Sequence, residues 1–297
     1  MKHASPSGAS LGYALVGGAA ASWGLWPLVL REAARFGEVD ASLWSAALMA
    51  VMTVATLPSL VGCSLQATPR RVLGYVALLG VTDAANAWLF FQAYRTTTVA
   101  LAVTTHYLAP ILVALFAPVV NGEARHPRAS VAAVAAFAGL LLVLNPFATT
   151  LDRTAIVGSC FGAASAVAYA ANVFLNRRIG EAFTGPQVMA LHGFVATPLL
   201  VALTPVAAWS TTAPGTYGVL TLAGVTIGAA SGVAFIRGLR LIPTAHSAVL
   251  TFLEPIVALA LGVLVLGQPL EPRAILGACA ILGAGAFVVA PSRSEGA

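Results

Sequence analysis

TTVALAVTTHYLAPILVALFAPVV (97–120) and PTAHSAVLTFLEPIVALALGVLVLG (243–267) decide the fold of this chain. Each is longer than the about 20 residues that a helix needs to cross the roughly 30 Å hydrocarbon core of a bilayer. The first holds no Asp, Glu, Lys or Arg, and the second holds only Glu254. In lipid every backbone N–H and C=O needs an internal partner, so such runs are helices.

Working outward, similar runs lie at 11–32, 41–62, 71–94, 129–146, 155–177, 186–208, 216–238 and 273–290, which makes ten spans. Mean hydropathy is +0.90 and 8% of residues are charged, so water is not the solvent for most of this surface. Ten spans nearly exhaust 297 residues and leave no room for a soluble domain. The first block is too long for a signal-peptide core and lacks a persuasive cleavage site, so it is read as a helix. The expected fold class is an all-α polytopic membrane protein of ten transmembrane helices.

The net charge is +5, but the basic residues are spread over loop ends, which argues against a nucleic-acid partner. Cys63, Cys160 and Cys279 show no metal-ligand spacing and are read as small packing residues. With the N-terminus in the cytoplasm, ten Lys and Arg fall on the cytoplasmic side: Lys2, Arg70, Arg71, Arg125, Arg128, Arg177, Arg178, Arg237, Arg240 and Arg293. Five fall on the far side: Arg31, Arg35, Arg95, Arg153 and Arg273. That bias favours both termini cytoplasmic. The expected location is a bacterial-type cytoplasmic (inner) membrane.

The chain also matches itself. Gly80-Val81-Thr82 returns as Gly224-Val225-Thr226, and Pro110-Ile111 returns as Pro255-Ile256. Gly122 and Pro127 return as Gly267 and Pro272. The shift slips from 144 to 145 in the turn between spans three and four, where an insertion costs least. The expected units are 1–148 and 149–297, five helices each. Five is odd, so the second repeat enters the membrane upside down. Inverted repeats around a central site are the architecture of secondary transporters.

These residues resemble the drug/metabolite transporter superfamily, specifically its EamA-type ten-helix members. The resemblance covers essentially the whole chain. Its carriers are Trp23-Gly24-Leu25-Trp26-Pro27 and the blocks Tyr107-Leu108-Ala109-Pro110-Ile111 … Asn121-Gly122-Glu123 and Phe252-Leu253-Glu254-Pro255-Ile256 … Leu266-Gly267-Gln268. The resemblance implies export of amino acids or other small metabolites, and the chain looks similar to the aromatic amino acid exporters of that superfamily. It also implies that the first span borders the central cavity. Gln268 departs from the Glu often found there, so Glu123 and Gln268 are read as anchors of helix ends rather than coupling groups.

An ionisable group inside a bilayer is costly and usually faces a cavity or a partner. Asp83 and Glu254 are the two acids well within spans. Asp83, Asn86, Phe90 and Tyr94 share one helical face. Span eight has Ile227 and Ala230 where span three has Asp83 and Asn86, so the polar pair is not needed merely to build a repeat. Span six carries a similar stripe of Ser165, Tyr169, Asn172 and Asn176.

Pro27, Pro110 and Pro255 each remove a backbone donor, freeing the carbonyls of Trp23, His106 and Thr251 and offering kinks for gating. His106 and Tyr107 flank one such kink. For lone histidines a satisfied structural role is favoured, and His192 and His246 carry less weight than His106. The expected substrate-binding set is Trp23, Trp26, Asp83, Asn86, Phe90, His106, Tyr107, Tyr169, Asn172, Phe252 and Glu254. The cavity they are expected to line lies between spans one, three, four, six, eight and nine.

No P-loop, HExxH or pair of intramembrane aspartates is present, so ATP-driven transport and membrane proteolysis are not indicated. No metal or other cofactor is implied. The expected function is export of a small, largely apolar solute by alternating access, with amino acids, aromatic ones included, as first choice. An exporter of drugs or other metabolites and a passive channel are the alternatives. The expected partners are a small-molecule substrate and the lipid bilayer, with a monomer as the working form.

Overall fold

A computed structural model describes residues 6–38 and 40–290. Lys2, Arg293 and both chain ends, on which part of the orientation reading rests, lie outside the described residues. Among the described residues ten helices are long and apolar enough to cross a membrane. Numbered spans 1 to 10, they are Gly8–Ala34, Ala41–Leu60, Arg70–Thr96, Val99–Asn121, Pro127–Leu144, Arg153–Ile179, Gly185–Ala202, Pro214–Leu239, Thr244–Leu264 and Pro272–Val289. The chain is a multi-pass membrane protein. No strand occurs among the described residues. Large apolar side chains such as Phe116, Val131, Leu222 and Leu276 are exposed on the outside, where lipid would cover them.

Sequence features set the helix ends. The Asp40 side chain accepts N–H bonds from Ser42 (2.8 Å) and Leu43 (3.3 Å) and opens span 2. Asp152 accepts from the Ala155 N–H at 2.7 Å and opens span 6. That bond, with a second from the Thr154 hydroxyl, holds the Asp152 carboxyl below its ordinary range. Thr184 and Gln187 form a reciprocal capping box at span 7. Gly122 and Gly267 close spans 4 and 9 with the same φ of 67°, a left-handed conformation that only glycine adopts without cost.

Span 7 ends earlier than its apolar run suggests. Pro205 lacks an N–H, and the chain restarts as the short helix Val206–Thr211. Three spans break in mid-membrane: span 1 between Trp23 and Trp26, span 4 at Tyr107, and span 9 at Thr251–Phe252. Each break lies one turn or less before Pro27, Pro110 or Pro255. Thr251 corrects one expectation. Its carbonyl is not free, because the chain tightens there and the Glu254 N–H donates to it at 3.1 Å. Span 8 widens into a π-helix at Gly224–Ala230, which composition does not announce.

Packing is mostly between the two halves. Span 3 lies on spans 6 and 7, and span 8 lies on spans 1 and 2. Span 4 packs on 6, span 9 on 1, and the pairs 2–7, 4–9 and 5–10 meet directly. Exchanging each span with the one five places along leaves this set of contacts unchanged. Small residues allow the close approaches. A Cβ on Gly139 would sit 2.6 Å from the Gly277 carbonyl oxygen, where spans 5 and 10 touch.

Candidate functional site

Between the halves lies a cavity of about 200 Å³. Its walls are aromatic and apolar: Trp23 and Trp26 of span 1, Met52 of span 2, Tyr169 of span 6, and Phe235 of span 8. Asp83, Asn172 and His192 supply its polar patch. A second cavity of about 40 Å³ is bounded by Trp23, His106, Tyr107, Tyr169, Thr251 and Glu254. Trp23 and Tyr169 border both. Spans 2 and 7 therefore join the six spans expected to form the cavity. Many walls of the larger cavity come from the turns nearest Leu60, Arg70, Ile179, Gly185 and Leu239, so it lies towards that end of the bundle.

The polar patch is built by close packing of spans 3, 6 and 7. A Cβ on Gly80 would lie 2.6 Å from the His192 carbonyl oxygen, so glycine lets span 7 approach one turn below Asp83. Asp83 Oδ1 accepts from Asn172 Nδ2 at 2.9 Å. Asn172 Oδ1 accepts from the Thr82 hydroxyl at 2.5 Å. Asp83 Oδ2 lies 3.1 Å from His192 Nε2, and His192 Nδ1 lies 2.7 Å from the Val188 carbonyl oxygen.

Glu254 has different surroundings. Among the described residues no Lys, Arg or His forms an ion pair with it. It faces the small cavity alongside the buried Tyr107 hydroxyl, the one side-chain partner within its reach among the described residues. Among the described residues no Lys or Arg lines either cavity. A solute there meets carboxylates, amide groups, indole and phenol rings, and no fixed cation. This surface suits an amine-bearing solute and offers nothing strong to a phosphate.

The structure brings Trp23, Trp26, Asp83, Tyr169 and Asn172 together around the larger cavity, and His106, Tyr107 and Glu254 around the smaller. Pro110 also lines the smaller one. Asn86 and Phe90 act one layer out. The Ser165 hydroxyl links Asn86 Oδ1 (3.0 Å) to His106 Nδ1 (2.9 Å), and the Phe90 ring lies 4.6 Å from the His106 ring. Phe252 lines neither cavity; it is fully buried and packs on Tyr107, 5.4 Å between centroids. Pro27 and Pro255 sit in the helical turns that follow the breaks in spans 1 and 9. His192 is the residue that sequence reasoning underweights, because its partner Asp83 is 109 positions away.

Glu123 anchors helix ends through its side chain, whereas Gln268 contributes a backbone bond. Glu123 accepts from the Thr244 N–H at 3.0 Å and from the Thr244 hydroxyl, and pairs with Arg177 at 3.1 Å. The Gln268 N–H folds back on the Gly262 carbonyl at 2.9 Å.

Comparison with known proteins agrees with this architecture. The EamA-like transporter family matches residues 10–145 and, separately, residues 156–290. The threonine/homoserine exporter RhtA of two strains of Salmonella typhimurium is 27% identical over 203 residues, 66% of this chain. The chain spans 64% of the length of those curated relatives. A crystal structure described only as that of a protein superposes with a TM-score of 0.78 at 16% identity, over 95% of this chain and 98% of its own. That likeness establishes the fold.

Proposed function

The chain belongs to the EamA-like transporter family, and from that premise we propose that it exports neutral amino acids across the cytoplasmic membrane by alternating access. It is a transporter rather than an enzyme. The observation that carries the substrate reading is the pair of adjoining cavities with aromatic walls, one carboxylate each, and no lining Lys or Arg among the described residues. Glu254, unpaired, takes the ammonium group. Asp83 and Asn172 orient polar groups, and the rings of Trp23, Trp26 and Tyr169 hold an apolar side chain. The partial match to exporters of threonine and homoserine supports amino acids over drugs. The aromatic walls support larger apolar side chains as well, phenylalanine and tryptophan included.

The exchange-symmetric packing and the two separate family matches support units 1–148 and 149–297 as inverted repeats that rock around this cavity. The breaks in spans 1, 4 and 9 supply hinge points. Arg70, Arg71, Arg177, Arg178, Arg237 and Arg240 gather at the end towards which the larger cavity lies, which supports that end, and both termini, as cytoplasmic. A monomer suffices for this mechanism.

Counterflow in proteoliposomes tests the proposal. Vesicles preloaded with phenylalanine, leucine, threonine or homoserine should take up labelled substrate transiently and with saturation, and glutamate should not exchange. Non-saturating flux without counterflow would replace the carrier with a channel. Exchange confined to drug-like cations would replace the substrate class.

A further inference from the structure

Asp83 and His192 face each other at 3.1 Å through atoms that cannot bond without a hydrogen between them. The Val188 carbonyl has no hydrogen to give, so at 2.7 Å the His192 Nδ1 must be its donor. A neutral imidazole carries one ring hydrogen, and here that hydrogen is on Nδ1. Nε2 would then be a bare acceptor aimed at a carboxylate oxygen, which is also an acceptor when ionised. Two acceptors at this distance, His192 buried and Asp83 partly so at the cavity wall, repel. The contact closes only with one further proton, held on Nε2 as an imidazolium or on Oδ2 as a carboxylic acid.

The remaining contacts leave no other source for that hydrogen. Asp83 Oδ1 is engaged as an acceptor by the Asn172 amide, which is itself oriented by the Thr82 hydroxyl. Span 6 presents Asn172, Asn176 and Tyr169 to the cavity. Span 1 presents Trp23 and Trp26, span 2 Met52, and span 8 Phe235 and its glycines. Among the described residues Tyr169 is thus the one other titratable group lining the cavity beside the pair, and no Lys or Arg lines it. Glu254, on span 9, borders the adjoining cavity beyond Tyr169.

We infer that Asp83 and His192 together form a one-proton binding site that joins span 3 to span 7 across the two halves and makes the proton a co-substrate of the carrier. With the proton bound, the pair is neutral overall and ties the halves in the conformation described. Releasing it to cavity water leaves a net single negative charge and two opposed acceptors. Spans 3 and 7 are then driven apart at the point where Gly80 allows their closest approach. Proton occupancy therefore biases which conformation the carrier adopts. This rests on the exporter reading for the identity of the transported solute, but the proton site does not depend on it.

The site is read directly from nitrogen-15 histidine spectra and infrared carboxyl bands of the purified full chain in lipid at neutral pH. His192→Gln and Asp83→Asn serve to assign the signals. The expected result is either an imidazolium at His192, or a neutral His192 with Nδ1–H beside a protonated carboxyl that vanishes in Asp83→Asn. A neutral His192 and an ionised Asp83 that still hold their 3.1 Å contact, read by nitrogen–carbon dipolar couplings, overturn the site; the same pair found apart is the released state the proposal requires. In vesicles, an imposed pH gradient should change net amino acid accumulation at least several-fold in the wild type and in His126→Gln, and should have no effect in His192→Gln. Counterflow that runs normally but ignores the gradient in the wild type overturns the co-substrate role and leaves the exporter standing. If no amino acid exchanges at all, the exporter reading fails, and the spectra still decide the proton site. They use wild-type protein, so a His192→Gln chain that fails to fold leaves Asp83→Asn and the wild-type bands to settle it.

Discussion

At the scale of single residues, environment assigns different work to the three acids that face the interior. Glu123 is 8% exposed and spends its carboxylate on Arg177 and on the start of span 9. Arg177 in turn donates to the Leu239 carbonyl, so one acid joins the ends of spans 4, 6, 8 and 9. Removing one partner of a buried pair leaves the other charge stranded, at a cost of about 3–5 kcal/mol. Glu123→Ala should therefore lower the melting temperature of the purified protein sharply, whereas Glu32→Ala, at an exposed pair, should not. A Glu123→Ala chain as stable as the wild type would remove the anchor role. The sequence makes Asp83 and Glu254 conspicuous because they are the acids deep within apolar runs. It does not distinguish their roles, because the neighbours that do so arrive from distant spans. His192 on span 7 reaches Asp83, while Glu254 meets only rings and a hydroxyl. Phe252 shows the converse: an aromatic ring beside a break is as readily a core filler as a cavity wall.

At the scale of elements, length and apolar composition suffice to place all ten spans within a few residues, except where an apolar run continues past its helix. The stretch 186–208 reads as one span because composition does not separate a crossing helix from a following short one; the missing donor at Pro205 does. The breaks in spans 1, 4 and 9 were legible from their prolines. The π-helix at Gly224–Ala230 was not, since nothing in Gly, Ala, Val, Ile and Thr distinguishes it from an α-helical turn. Contact between spans was legible only as a supply of small residues. Where spans 5 and 10 meet, Gly139→Val would push a methyl group into the Gly277 backbone. Overpacking of this kind costs about 1–3 kcal/mol. A lowered melting temperature is expected for Gly139→Val and none for Gly283→Ala, where a Cβ meets open space.

At the scale of the whole molecule, the proposed architecture is two five-helix bundles lying antiparallel in the membrane around a shared hollow. The contacts between spans keep their pattern when the halves are exchanged, as two copies of one five-helix unit related by a two-fold axis would. The repeat was visible in the sequence as a shift of 144 to 145, and the closing glycines Gly122 and Gly267 return in the same left-handed geometry. What the sequence could not supply is the partnership across the halves, because each wall of the larger cavity is completed by residues from the other bundle. The orientation of the bundles is measured most directly by single-cysteine labelling from either side of the membrane. The background is free of Cys63, Cys160 and Cys279, with probes at Gln66, between spans 2 and 3, and Ser210, between spans 7 and 8. The account predicts that Gln66→Cys reacts only from the cytoplasmic face and Ser210→Cys only from the opposite one. Labelling of both from the same face would contradict it.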